Sequence, residues 1–166
     1  MNNTPLMLTG YGGPMEKRRV LFVCTHNSAR SQMAEAMLNH WGGDKFEAFS
    51  AGTEATGIKP ETVQVMEEIG MDISSHRSKT IDEFRGHAFE WFITVCDEAQ
   101  QNCPVLPGVD NVGHWSIEDP SAADGTPEER LAVFRRVRDL MRNRIRLFIL
   151  AGGREELAPP EPTVLR

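Results

Sequence analysis

Residues 20–31 read VLFVCTHNSARS, an apolar run that gives way to a short polar stretch. Four consecutive apolar residues, Val20 to Val23, are typical of a strand that is covered on both faces of a parallel sheet. The sequence SQMAEAML follows, with apolar residues at helical spacing. The stretch therefore predicts a strand, a loop and a helix in succession, with Cys24 at the start of the loop and Arg30 near its end.

Strand-like and helix-like segments alternate along the rest of the chain. Strands are predicted over residues 46–50, 91–96 and 109–115, and the last of these is polar enough to be an edge strand. Helices are predicted around residues 33–41, after Pro60 with a stop at Gly70, and from the capping sequence TPEE at 126–129 to Gly152. This order predicts an α/β fold, a single-domain open parallel sheet of about four strands with helices on both faces.

Composition sets the domain organisation and excludes several classes of protein. A chain of 166 residues with 40% hydrophobic content forms one core, which we place at residues 18–151. The segments 1–17 and 152–166 carry much of the glycine and proline and are expected to be flexible tails. The net charge of -6 argues against a nucleic-acid partner. Without a leader sequence or a long apolar run, we expect a cytoplasmic protein that does not enter the membrane.

The polar loop has the composition of an anion-binding site that contains a nucleophile. Consecutive backbone N–H groups and the following helix N-terminus favour an oxyanion, and the planar fork of Arg30 binds two oxygens of a tetrahedral anion. The same donors favour the thiolate form of Cys24, which is the nucleophilic form. A nucleotide site of the Walker type is not indicated, since the chain has no glycine-rich segment that ends in Gly-Lys-Ser/Thr.

Three motifs in this order resemble one family. The loop C-x5-R-S continued by QMAE, the stretch VCDEAQQNCP at 95–104 and the stretch HWSIEDP at 114–120 resemble the low-molecular-weight tyrosine phosphatase superfamily. Within it, the chain is most similar to the thioredoxin-coupled arsenate reductases. The resemblance covers residues 18–150.

The resemblance implies a mechanism and a set of site residues. Cys24 would attack the arsenic of arsenate, and Asp119 would protonate the leaving hydroxide. Cys96 would then attack Cys24 and expel arsenite, and Cys103 would take over the disulfide for reduction by thioredoxin or glutaredoxin. The external thiol reductant makes a bound cofactor unnecessary. The oxyanion would be held by the loop residues, which are Thr25, His26, Asn27, Ser28, Ala29, Arg30 and Ser31.

The chain departs from the family pattern in two places. Many relatives carry a second cysteine just before the loop arginine, and here Ala29 stands there, so a disulfide within the loop is impossible. Some arsenate reductases hold a potassium ion through residues that match Asn27, Glu35 and Ser50, but Lys79 stands where the family has an aspartate. We therefore expect no potassium requirement. No metal site is expected elsewhere, because the spacing of Cys96 and Cys103 is too wide for a zinc knuckle.

Two other functions remain open. A low-molecular-weight protein tyrosine phosphatase would use the same loop through a Cys24 phosphocysteine, but its Asp-Pro is usually followed by tyrosines that line an aryl pocket. Here SAAD follows, and the only tyrosine in the sequence is Tyr11. A non-enzymatic thiol-based sensor of arsenic or redox state is the other alternative, although it would not need Arg30 or Asp119.

Overall fold

The computed structural model describes residues 16–95 and 105–154. Its strands and helices are β1 (Arg18–Cys24), α1 (Arg30–Gly42), β2 (Phe46–Gly52), α2 (Pro60–Glu67), β3 (Phe89–Thr94), β4 (Val109–His114) and α3 (Pro127–Leu150). Two short 3-10 helices, Ile81–Phe84 and Pro120–Ala122, complete the elements of these ranges.

The four strands form one parallel sheet in the order β2-β1-β3-β4. The chain moves to one side of β1 to form β2 and then to the other side to form β3, so the strand order reverses at β1. Ligands of open parallel sheets bind outside the carboxyl ends of the strands at such a reversal. Cys24, at the end of β1, occupies this position. The predicted parallel sheet of four strands is confirmed.

The two faces of the sheet are covered by different elements. One core contains Val20, Phe22 and Cys24 of β1 together with apolar residues of α1, α2 and α3. A second core contains Leu21 and Val23, which point to the opposite face, together with residues of the 3-10 helix Ile81–Phe84. The three α-helices thus cover one face, and the 3-10 helix packs on the other. The predicted α/β class is confirmed, and of the helices predicted on both faces, the second face carries only this 3-10 helix in the described residues.

Helix α3 begins where the capping sequence predicts. The Thr126 hydroxyl oxygen accepts a hydrogen bond from the Glu129 N–H at 3.2 Å, and Pro127 is the first helical residue. The predicted apolar stripe is buried throughout and consists of Leu131, Phe134, Val137, Met141, Ile145 and Phe148. These residues fill the space between α3 and the sheet, so both the start and the buried face of the helix agree with the prediction.

The end of α3 is attached to the sheet by side chains of two strands. Arg18 donates to the Gly152 carbonyl at 2.6 Å, and the Trp91 indole N–H donates to the Gly153 carbonyl at 2.9 Å. Gly153 has a φ of 74°, a left-handed conformation that glycine adopts without steric cost. Of the predicted flexible tails, residues 1–15 and 155–166 lie outside the described ranges.

The strand predicted over residues 91–96 is shifted in the structure. β3 runs from Phe89 to Thr94 and therefore includes Glu90, a charged residue that the apolar pattern left outside the strand. Its carboxylate is accommodated because Arg18 of the neighbouring β1 donates to it at 2.7 Å. Residues 96–104, which include Cys96 and Cys103, lie outside the described ranges.

Candidate active site

The residue at the centre of the site is Cys24, the last residue of β1. Its side chain is buried, with 2% of the residue exposed, and it is a free thiol. The loop of residues 25–29 leads from it directly to α1, whose N-terminus has no side-chain cap. The helix end therefore keeps its backbone donors available near the sulfur.

The carbonyl oxygens of the loop point away from the sulfur, toward the segment 53–59. They accept backbone hydrogen bonds in four pairs: Cys24 from Thr53 at 3.2 Å, Thr25 from Glu54 at 2.9 Å, His26 from Thr56 at 3.4 Å and Ser28 from Lys59 at 3.1 Å. Across a trans peptide bond, the N–H of the next residue points the opposite way, and the described chain has no cis peptide bonds. The N–H groups of residues 25–27 and 29 therefore face the inside of the loop, where they can bind an anion.

Two polar groups contact the thiol of Cys24. The Asn27 backbone N–H donates to Sγ at 3.3 Å, and the Ser31 hydroxyl lies 2.8 Å from Sγ. The Asn27 side-chain amide also donates to Ser31 Oγ at 2.8 Å, so this oxygen acts as an acceptor there and its own proton is available to the sulfur. Both groups can therefore donate hydrogen bonds to the sulfur.

Asn27 holds the loop in shape. It has a φ of 51°, the left-handed conformation that asparagine tolerates better than most residues. Its side-chain oxygen accepts from the Gln32 amide at 2.8 Å and from the Lys79 backbone N–H at 3.0 Å. Because Asn27 is fully buried, these bonds form away from water and fix the conformation that aims its N–H at the sulfur.

Gly52 permits the close packing of the loop on β2. A Cβ atom at this position would lie 2.7 Å from the Thr25 carbonyl oxygen and 2.8 Å from the Asn27 nitrogen. Both are backbone atoms of the loop and cannot rotate away. Glycine is therefore required at position 52 by the approach of the loop.

Arg30 connects the loop to the predicted acid. Its side chain is buried and donates to the Ile117 carbonyl at 3.0 Å, while its other terminal nitrogen lies 3.7 Å from Asp119 Oδ2. Asp119 has an extended backbone, as expected before Pro120, and its other carboxylate oxygen accepts from the Ser121 N–H at 2.9 Å. The arginine, the carboxyl group and the anion loop thus form one continuous site.

A charged cluster lies behind the loop. Glu35 of α1 accepts from the Ser50 hydroxyl at 3.2 Å and lies 3.9 Å from the Lys79 ammonium and 3.6 Å from His76. Burial raises the pKa of Glu35, and the charges of Lys79 and His76 oppose this rise. Lys79 thus places its ammonium charge beside Glu35, one of the residues that match the potassium ligands of the family. In residues 16–95 and 105–154, no three His, Cys, Asp or Glu side chains are grouped to hold a metal ion.

In the structure, Cys24 and the loop residues 25–31 lie in one site with Asp119, which is joined to them through Arg30. His26 lies at the outer side of the loop, with Nδ1 3.5 Å from the Glu54 carboxylate. The structural roles of Gly52 and Gln32 were not predicted from the sequence. Gln32 is fully buried in α1, and a buried polar side chain indicates a hydrogen-bonding role. The predicted roles of Cys96 and Cys103 fall outside the described residues.

Comparison with known proteins yields one family. The family model of the low molecular weight phosphotyrosine protein phosphatases matches residues 19–158. An arsenate reductase of Halalkalibacterium halodurans is 44% identical over 138 residues, which cover 83% of this chain and 99% of that protein.

Solved structures give the same picture. An arsenate reductase in the phosphate-binding state matches with a TM-score of 0.66 at 33% identity, covering 81% of this chain and 98% of that one. A low molecular weight protein tyrosine phosphatase from T. tengcongensis matches with a TM-score of 0.65 at 26% identity, covering 81% of this chain and 99% of that one.

Proposed function

Because the chain belongs to the low molecular weight phosphotyrosine protein phosphatase family, we propose that it is an arsenate reductase that serves arsenic detoxification. The main support for this proposal is that the buried thiol of Cys24, the anion loop and the Arg30–Asp119 pair lie in one site. The choice of arsenate rests on the relatives, since the H. halodurans arsenate reductase matches over 99% of its length. A relative solved in a phosphate-binding state supports an oxyanion of the same shape.

In the first step, arsenate enters the loop and Cys24 attacks it. The inward N–H groups and the Arg30 fork take up the charge of the oxyanion, as such donors do for charge that develops in a transition state. A sulfur–arsenic bond forms and an arsenic–oxygen bond breaks. Asp119, which lies beside Arg30, supplies the proton with which the leaving hydroxide departs as water.

In the second step, a second thiol removes the arsenic. Cys96 attacks the sulfur of Cys24, a disulfide forms, and the electron pair of the sulfur–arsenic bond stays on arsenic. Two thiols are oxidised by two electrons while arsenic passes from the +5 to the +3 state and leaves as arsenite. Cys103 then attacks Cys96, which releases Cys24 and leaves a Cys96–Cys103 disulfide.

The described part of the chain supports the choice of Cys96. The Val95 N–H donates to the Val23 carbonyl at 2.9 Å, so the chain runs beside the last residues of β1 as it approaches position 96. Val95, the residue that precedes Cys96 in the sequence, therefore lies beside the strand that ends in Cys24.

The cycle requires an external reductant. A dithiol protein such as thioredoxin, or a glutaredoxin system, would reduce the Cys96–Cys103 disulfide by exchange. Thioredoxin and glutaredoxin work inside cells, which agrees with the proposed cytoplasmic location. In the described ranges, no helix is both long and apolar enough to span a bilayer.

A protein tyrosine phosphatase is the second candidate, because the loop and the acid are also what phosphoester hydrolysis needs. The T. tengcongensis phosphatase shares the fold. Here, however, Asp119 is followed by the 3-10 helix Pro120–Ala122, which has small side chains. The phosphatases of the family usually have tyrosines at this place, which line the pocket for the substrate ring. We therefore propose that aryl phosphate hydrolysis is a weak side activity.

Arsenate-dependent oxidation of NADPH, measured with purified thioredoxin and glutaredoxin systems in turn, tests the proposed function. Turnover that needs arsenate and one of these systems is expected. A folded protein that hydrolyses aryl phosphates but shows no arsenate-dependent oxidation with either system would instead be a phosphatase.

The variant Cys96→Ser separates the two functions further. Since hydrolysis needs only the loop and the acid, this variant should retain slow hydrolysis of an aryl phosphate and lose arsenate turnover. Equal loss of both activities in a folded variant would assign Cys96 a structural role.

A further inference from the structure

Asp119 is carried by a segment whose position is set from two sides. Residues 115–120 follow β4 in an extended course, and the buried residues Trp115, Ile117 and Pro120 face the protein while Glu118 faces outward. Burial of these apolar side chains fixes the segment against the core. The Asp119 carboxylate accepts from the Ser121 N–H, and the position of the backbone that carries it depends also on how the segment is held at its outward side, where Glu118 lies.

The outward side is held by an arginine of α3. Arg136 Nε donates to Glu118 Oε1 at 2.7 Å, and its Nη2 donates to Oε2 at 2.9 Å. This is the paired geometry in which a guanidinium fixes the orientation of a carboxylate as well as its position. The hydrogen bond and charge of Arg136 lower the pKa of Glu118, so the carboxylate is ionised at neutral pH.

Arg136 lies on a part of α3 that is packed against the main core. Its neighbours along α3, Phe134 and Val137, are fully buried in the main core, so the backbone that carries Arg136 is fixed to the sheet. The Arg136 guanidinium thus holds Glu118, the residue directly before Asp119, at a fixed position relative to α3.

The inward side of the same segment is held by Arg30, which donates to the Ile117 carbonyl. In the proposed function, Arg30 must also bind the oxyanion and take up charge during the reaction. Within residues 16–95 and 105–154, both side-chain hydrogen bonds of Arg136 go to Glu118 on the outer side of the segment, so Arg136 is not shared with the anion loop.

From this division we infer that Arg136, through Glu118, is a positioning residue that holds the Asp119 segment while Arg30 engages the substrate. The inference rests on the proposed function, in which Asp119 is the general acid. Arg136 makes no contact with the loop in the described structure and acts only through the segment that carries the acid.

The same helix offers a matched control. Arg135 makes an equivalent paired contact, since its Nε and Nη2 donate to the Glu68 carboxylate at 3.0 Å and 2.8 Å. Glu68 directly follows α2 and lies far along the chain from the acid. Removal of Arg135 therefore deletes a paired surface contact without touching the 115–120 segment, and Glu68 keeps the hydrogen bond that Arg138 donates at 2.8 Å.

The test compares Arg136→Ala, Glu118→Ala and Arg135→Ala in arsenate turnover with the thioredoxin system. A general acid contributes about 10²- to 10⁴-fold to a rate, and we expect a loosened acid to cost Arg136→Ala and Glu118→Ala roughly 3- to 10-fold in kcat. Arg135→Ala should match wild type. Arg136→Ala alone should also raise KM, because it leaves the Glu118 charge unneutralised near an anion site, whereas Glu118→Ala removes that charge.

Combination with Asp119→Asn distinguishes positioning of the acid from a general effect on the fold. If Arg136 acts through Asp119, Arg136→Ala should lower kcat in the wild-type background and not in the Asp119→Asn background. The reciprocal exchange Glu118→Arg with Arg136→Glu should restore much of the lost kcat. Thermal unfolding should show similar midpoints for the two arginine variants, because exposed ion pairs contribute little to stability.

Three results would overturn the inference. They are a kcat of Arg136→Ala equal to that of Arg135→Ala, an equal further loss in the Asp119→Asn background, and an Asp119→Asn variant as active as wild type. In each of these, wild-type arsenate turnover would leave the proposed reductase function intact. Absence of arsenate turnover by the wild-type protein would overturn the proposed function itself, and the inference with it.

Discussion

Replacement of Asn27 by alanine should destabilise the protein and disorder the loop around Cys24. The substitution removes three buried hydrogen bonds, to the Gln32 amide, the Lys79 backbone N–H and the Ser31 hydroxyl. It also places an alanine at a φ of 51°. Both effects act on the residue whose N–H faces the sulfur.

The size of the effect follows from these contacts. Each hydrogen bond contributes about 1 kcal/mol net, so the three together contribute about 3 kcal/mol. The left-handed conformation costs an alanine about 1 to 2 kcal/mol. We therefore expect a loss of about 4 to 5 kcal/mol in the free energy of unfolding, against a total of about 5 to 15 kcal/mol for a typical domain. Arsenate turnover should fall with it, because the loop loses its fixed shape.

The variant Asn27→Gly provides the control for the backbone. It removes the same three hydrogen bonds but avoids the cost of about 1 to 2 kcal/mol that alanine incurs in the left-handed conformation. Because glycine loses more backbone entropy on folding, at a cost of about 0.5 to 1 kcal/mol, Asn27→Gly should be less destabilised than Asn27→Ala by roughly 0.5 to 1 kcal/mol. Equilibrium unfolding in urea, monitored by tryptophan fluorescence, measures both differences. If both variants unfold within about 1 kcal/mol of wild type, the side chain of Asn27 does not hold the loop and the reasoning fails.

Four further outcomes are expected. Cys24→Ser should abolish reductase activity and any phosphatase activity, and Arg30→Lys should lose the two-point grip on the anion; near-normal turnover of Cys24→Ser in the coupled assay would contradict the mechanism. After one turnover without reductant, peptide mapping should find Cys96 joined to Cys103, and Cys103→Ser should stop with Cys24 joined to Cys96; normal cycling of Cys103→Ser would refute the three-thiol relay. Exchange of potassium for sodium at equal ionic strength should leave arsenate turnover unchanged, since an ammonium already lies 3.9 Å from Glu35, and a several-fold stimulation by potassium would show that an ion binds. Burial raises the pKa of Glu35, so the folded protein keeps this proton to a higher pH than the unfolded chain does. The wild-type protein therefore loses stability as pH rises from the unfolded-state pKa to the folded-state pKa of this group. Urea unfolding from about pH 4 to pH 7 should show the stability of Glu35→Gln increasing relative to that of wild type as pH rises.

Local patterns in the sequence predicted the elements that depend on local interactions. The apolar run at 20–23 predicted a strand buried on both faces, and β1 is buried there. The capping sequence at 126–129 predicted the start of α3. The Thr126 hydroxyl accepts a hydrogen bond from a free N–H group of the first turn, proline lacks an N–H that would need a partner there, and a glutamate at the third helical position is typical of a capping box. The polar run from 109 predicted an edge strand, and Val112 in β4 is 56% exposed.

Features that depend on distant contacts were not predictable in the same way. The loop conformation depends on a bond from the Lys79 backbone to Asn27, and the placement of the acid depends on a bond from Arg30 to the Ile117 carbonyl. Almost every residue type has the same backbone N–H and C=O groups, so a sequence pattern does not indicate which backbone group will be the partner. The motif order placed Cys24, Arg30 and Asp119 in one site only through resemblance, whereas the structure supplies the contacts that join them.

The outward-facing carbonyls of the loop have a consequence for the cell. Backbone hydrogen bonds from segment 53–59 hold these carbonyls, so the protein itself fixes the shape of the anion loop. A loop of this kind recognises the size and charge of a tetrahedral anion, which phosphate and arsenate share. We therefore expect selectivity to arise in the reaction with sulfur rather than in binding, and we expect phosphate to compete with arsenate for the loop. Tolerance to arsenic in a cell that relies on this protein should therefore vary with its phosphate nutrition.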